Sequence, residues 1–99
     1  MSENQTNQPL NADELERLVG RLPGWTVRES SLVKTFSFDA YLDGIAFVNR
    51  LAQEAENMNH HPALQVGWRK VTVTLSTHSA GGVTGLDAQL AEKAEALQN

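Results

Sequence analysis

The segment from Lys70 to Ser76 constrains the fold most. Val71, Val73 and Leu75 alternate with Thr72, Thr74 and Ser76. Successive side chains of a strand point to opposite faces, so this period of two describes a strand with one apolar and one polar side. β-branched residues dominate it, as strands favour. Such a strand is not stable alone. It needs neighbours for its backbone groups and a layer to cover its apolar side.

The rest of the chain supplies both. Asn11 followed by Glu14 has the pattern of a capping box, and Leu15, Leu18, Val19 and Leu22 then share one helical face until Pro23-Gly24. Trp25 to Arg28 and Leu32 to Phe38 read as hairpin strands around a turn at Glu29-Ser30-Ser31, with Leu32, Phe36 and Phe38 on one side. Asp39 is expected to cap a second helix with Leu42, Ile45, Val48, Leu51 or Ala52, and Ala55 as its apolar stripe. That helix should end near Asn57 to Asn59, because Pro62 biases His61 towards extended backbone. Ala63 to Trp68 reads as a third strand. After Gly81-Gly82, Thr84 is expected to cap a last helix with Leu86, Leu90, Ala94 and Leu97 inward. Two hairpins separated by a helix imply an α+β fold, mostly antiparallel, with helices over one face. Residues 1–10 are expected to form a disordered tail and 11–99 a single domain.

Composition narrows the function classes. A net charge of −4 gives no basic surface for nucleic acid, and Arg69-Lys70 is the only adjacent basic pair. There is no cysteine, so disulfides, thiolate nucleophiles and cysteine-bound metals are excluded. The amino terminus lacks the basic-then-apolar pattern of a secretory signal. No apolar run approaches the roughly 20 residues of a membrane helix. A cytoplasmic protein without nucleic-acid or membrane partners is expected.

All three histidines, His60, His61 and His78, fall in the second half of the chain, between the carboxylates Glu56 and Asp87. Imidazole exchanges protons near neutral pH, so such a gathering is a candidate for general acid/base chemistry. Each residue also has a plainer reading. Glu56 and His60 are four apart, the spacing of a surface pair at a helix end. His78 can simply terminate a strand. Thr84-Gly85-Leu86-Asp87 fits a capping box, and Asp87 can serve that role and a functional one together. Trp25 and Trp68 read as core or interface residues. A zinc site is disfavoured, because adjacent histidines seldom point at one ion and the helical His-Glu-x-x-His pattern is absent. Ser76, Thr77 and Ser79 flank His78, but neighbours on a strand point to opposite faces.

Taken together, Glu56-x3-His60-His61-Pro62-x5-Trp68-x9-His78-x8-Asp87 resembles the signature of the pterin-4a-carbinolamine dehydratases. Leu75-Ser76-Thr77-His78 before a small-residue turn, Gly24-Trp25 after the first helix and the element order resemble that family too. The resemblance spans roughly residues 11 to 97. It implies a four-stranded antiparallel sheet with three helices on one face, in a homodimer or a tetramer. It implies dehydration of 4a-hydroxytetrahydropterin, released by aromatic amino acid hydroxylases, to quinonoid dihydropterin and water. A reductase then restores the tetrahydropterin, such as tetrahydrobiopterin. No metal or redox cofactor is implied. His60 and His78 would be the acid/base pair, and His61 would bind and orient the pterin and share in proton transfer. Glu56 and Asp87 would orient the imidazoles, and Ser76 and Thr77 would offer backbone groups to the ring. The alternative within the same resemblance is a dimeric protein-interaction module, a transcription cofactor or an assembly factor.

Overall fold

The computed structural model describes residues 8–98. Its order is α1 (Ala12–Arg21), β1 (Thr26–Arg28), β2 (Ser31–Ser37), α2 (Tyr41–Met58), β3 (Ala63–Val66), β4 (Lys70–Leu75), a 3-10 turn (His78–Ala80) and α3 (Gly85–Gln98). The strands form one antiparallel sheet in the order β1-β2-β4-β3. This is the expected α+β fold. Most of the expected amino-terminal tail lies outside the described residues. Leu10, placed at its end, donates its N–H to Val83 O at 2.7 Å and packs against the core.

The alternation in β4 does what its chemistry requires. Val71, Val73 and Leu75 are fully buried. The register pairs Leu32 with Leu75 and Phe36 with Val71, so β2 and β4 present one continuous apolar face to the helices. The opposite face is polar, and Thr35 and Thr72 share a hydroxyl contact at 2.8 Å across it. Leu51, Leu90, Ala91 and Ala94 close the core from the helical side. Among the described residues no helix is long and apolar enough to cross a membrane.

The capping box of α1 is present: Asn11 Oδ1 accepts from Glu14 N–H at 2.9 Å, and Glu14 Oε1 accepts from Asn11 N–H at 2.8 Å. The start of α2 differs from expectation. Its N-cap is Ala40, with no side-chain cap, and Asp39 lies one position too early to cap. The Asp39 carbonyl instead accepts from the Arg69 guanidinium at 3.2 Å. The apolar stripe of α2 is met in part: Leu51 and Ala55 are buried and Val48 packs on the core as expected, but the stripe opens on Gly44 and Phe47 rather than Leu42. Its buried positions are Gly44, Phe47, Leu51 and Ala55, and Leu42 is 71% exposed. Phe47 decides this start by packing on Phe36 and Phe38, with ring centroids 4.8 and 5.3 Å away. Gly44 permits the close approach: a β-carbon there would lie 3.3 Å from the Phe38 ring and 3.5 Å from a Val71 methyl.

Trp25 is core, edge-on to Phe36, and its indole N–H donates to Glu95 Oε2 at 2.8 Å. Lys34 reaches the same carboxylate oxygen and donates to Pro23 O at 3.0 Å. Trp68 is 73% exposed under the Arg69 guanidinium. It lies beyond β3, which ends at Val66 because Gly67 turns back to Lys70 with an N–H···O bond of 2.8 Å.

Candidate active site

One end of the sheet gathers the start of β2, the start of β3 and the end of β4, because both neighbours of β4 run antiparallel to it. The loops that leave this end carry all three histidines. α2 stops at Met58 because Asn59 takes a left-handed conformation, φ 51°, and its N–H turns back to Ala55 O and Glu56 O. Asparagine tolerates that conformation better than most residues. The stop throws His60 off the helix, so the four-residue spacing to Glu56 no longer means a shared helical face. Glu56 Oε2 meets His61 Nε2 instead, at 2.6 Å.

His60 turns the other way. Its Nε2 lies 2.5 Å from Asp87 Oδ1. Asp87 is fully buried at the start of α3, and its second oxygen accepts from Thr84 N–H at 2.9 Å and from the Thr77 hydroxyl at 2.8 Å. Thr84 Oγ1 in turn accepts from Leu86 N–H at 3.2 Å. The expected capping role of Asp87 therefore holds, and the same carboxylate also holds an imidazole. The positive end of α3 favours a negative charge there. His78 begins the 3-10 turn that follows β4, exposed to solvent.

A cleft of about 620 Å³ opens at this end of the sheet. His61 and His78 line it with Pro62 and Ser76, and it continues over Ser30, Ser31, Ala63, Thr74 and Gly81. Its size falls within the roughly 300–1,000 Å³ of small-molecule sites. His60, Glu56, Thr77 and Asp87 are not on its wall. Thr77 is buried, with its N–H on Gly82 O at 2.9 Å and its carbonyl accepting from Ala80 and Gly81 N–H, both at 3.0 Å.

The residues that sequence reasoning missed are Ser30, Ser31, Thr74 and Ala63 on the cleft wall and Thr84 behind it. Ser30 and Ser31 read locally as turn formers. Only the strand register brings them to Ser76, whose hydroxyl donates to Ser30 O at 3.0 Å. Thr74 was legible as an outward residue of β4 but not as part of a site. Among the described residues no group of three or more histidine, aspartate or glutamate side chains is arranged to hold a metal ion.

A cleft lined by two imidazoles is suited to moving protons on a small molecule. The model of the family described as pterin 4 alpha carbinolamine dehydratase matches residues 8–97. The chain belongs to this family. A provisionally named pterin-4-alpha-carbinolamine dehydratase of Mycobacteroides abscessus is 48% identical over 84% of this chain and 88% of its own length. Another from Roseiflexus castenholzii is 44% identical over 89% of this chain and 95% of its own. The crystal structure of a transcriptional coactivator/pterin dehydratase from Brucella melitensis matches with a TM-score of 0.90 and 31% identity, covering 93% of this chain and 100% of that one. A pterin dehydratase-like protein identified as a RuBisCO assembly factor of the alpha-carboxysome matches with a TM-score of 0.63 and 26% identity, over 76% of this chain and 87% of that one.

Proposed function

We propose that the cleft binds 4a-hydroxytetrahydropterin and that His61 and His78 dehydrate it with His60 in support. The observation that carries this reading is that His61 and His78 line one cleft in a member of this family, while their neighbour His60 is anchored on Asp87. The reaction needs no electrons. A protonated imidazole gives its proton to the C4a hydroxyl, which leaves as water. A neutral imidazole takes the N5 proton as the C4a=N5 bond forms. One site has then lost a proton and the other gained one, and exchange with solvent resets both. Catalysis of this kind contributes about 10²–10⁴-fold.

The resemblance pairs His60 with His78. The geometry supports a different division: His61 and His78 at the substrate, and His60 with Asp87 as the buried pair that braces the site. Glu56 orients His61. Ser76, with its neighbours Ser30 and Ser31, offers hydrogen-bonding groups to the pterin ring and its tail. In the cell the enzyme would serve tetrahydropterin recycling after aromatic hydroxylation.

The test follows loss of 4a-hydroxytetrahydropterin by ultraviolet absorbance in a hydroxylase-coupled assay. Wild type should accelerate it, and His78→Gln should lose about 10²-fold or more while staying folded. Folded wild type without acceleration would sink the enzyme reading.

We also propose self-association. Tyr41, Leu42, Val66 and Trp68 are exposed, and the Arg69–Asp39 hydrogen bond ties the turn carrying Trp68 to the residues leading into α2. Exposed apolar groupings of this kind mark interaction surfaces. Sedimentation velocity should give a dimer or larger at micromolar concentration; a monomer there would refute it. The interaction-module reading, which the Brucella and carboxysome relatives illustrate, predicts partner binding that survives loss of all three histidines.

A further inference from the structure

We infer that Thr77 is a positioning residue that locks His60 and His78 into one frame through its hydroxyl and its backbone at once. No other described residue joins both histidine segments in this way. On the side-chain route, the hydrogens can be assigned in order. A carboxylate only accepts, so the Thr77 hydroxyl must donate to Asp87 Oδ2 at 2.8 Å. Its remaining lone pairs then accept the Thr84 hydroxyl hydrogen at 2.9 Å, and Thr84 Oγ1 accepts Leu86 N–H at 3.2 Å. Thr84 N–H supplies a second donor to Asp87 Oδ2 at 2.9 Å.

With Oδ2 saturated from within the fold, Oδ1 is directed at His60 Nε2. Neutral His60 therefore carries its proton on Nε2 and keeps Nδ1 as the free nitrogen. On the backbone route, Thr77 closes the turn that carries His78: its carbonyl takes Ala80 and Gly81 N–H, and its own N–H bonds Gly82 O. The two routes start from one buried residue adjacent to His78. Rotation of Thr77 would disturb His60 and His78 together.

The hydroxyl is what distinguishes this role from filling space. Valine has nearly the same shape and cannot donate. Serine keeps the donor. We expect Thr77→Val to fold, to lower kcat about tenfold to a hundredfold with KM little changed, and to lose the Nε2–H signature of His60 in ¹⁵N-resolved NMR of the ring. Thr77→Ser should restore both.

The turnover readout rests on the dehydratase reading, whereas the NMR readout does not. A wild type without dehydratase activity that still shows the Nε2–H tautomer would remove the proposed function and leave the Thr77 assignment standing. Wild-type His60 protonated at Nδ1 would overturn the assignment without any variant. So would Thr77→Val that keeps the His60 signature and turns over within about threefold of wild type, a change too small for loss of an orienting partner.

Discussion

His60 and His61 are neighbours in the chain, and each places Nε2 against a carboxylate, at 2.5 and 2.6 Å. The two contacts are chemically alike and physically different. The His60 and Asp87 side chains are 11% and 0% exposed; those of His61 and Glu56 are 53% and 72% exposed. Water solvates and screens the outer pair, so its geometry contributes little energy. The inner pair has no water to fall back on, and Asp87 carries two further donors from Thr77 and Thr84. The same bond therefore braces the structure in one place and merely turns a ring towards a cleft in the other.

Breaking the inner pair should have the largest effect. Asp87→Ala strands Thr84 N–H, the Thr77 hydroxyl and His60 together, and removes the acidic residue from the first turn of α3. Each buried donor left without its acceptor costs about 1–3 kcal/mol. Urea denaturation should register a loss in that range. A cost below about 1 kcal/mol would mean the buried network is dispensable.

Next in size is the contrast between the two histidines. His61→Gln should lower turnover about 10²-fold or more and leave stability close to wild type. His60→Gln should lower stability as well, because it leaves Asp87 Oδ1 short of its buried partner. If His60→Gln left stability untouched and cost far more turnover than His61→Gln, the His60–His78 acid/base pairing implied by family resemblance would replace ours.

The smallest effect belongs to Glu56→Gln. Exposed pairs contribute about 0–1 kcal/mol, so the denaturation midpoint should barely move and should move less still in high salt. A large destabilisation would show that the outer pair is not the solvated contact described above.

The two pairs also divide what could be read from the chain. The alternation of β4, the Asn11–Glu14 box and the Thr84-Gly85-Leu86-Asp87 pattern are local. Each depends on residues within a few positions; the first two reappear as expected, and in the third Asp87 takes Thr84 N–H while the Thr84 hydroxyl takes Leu86 N–H. The element order and the gathering of all histidines beside one sheet end follow from the same local signals. The start of the α2 stripe was not legible, because Leu42 and Phe47 are both apolar and only contact with Phe36 and Phe38 selects between them. The partner of Glu56 was not legible either. It depends on one left-handed residue, Asn59, which ends the helix and reverses which histidine the carboxylate meets. Ser30 and Ser31 carry no signal of a site until the register sets them across from Ser76.

The chain alone specifies the set of elements, their order, the apolar face of the sheet and the histidines and carboxylates available for proton chemistry. These rest on periodicity, capping and side-chain pKa, which are properties of short stretches. Long-range packing selects which histidine is buried, which carboxylate His60 and His61 meet and which two imidazoles line the cleft. Those depend on contacts across 27 positions of chain for His60 and Asp87, against 5 for His61 and Glu56, and on how much water is left between the partners.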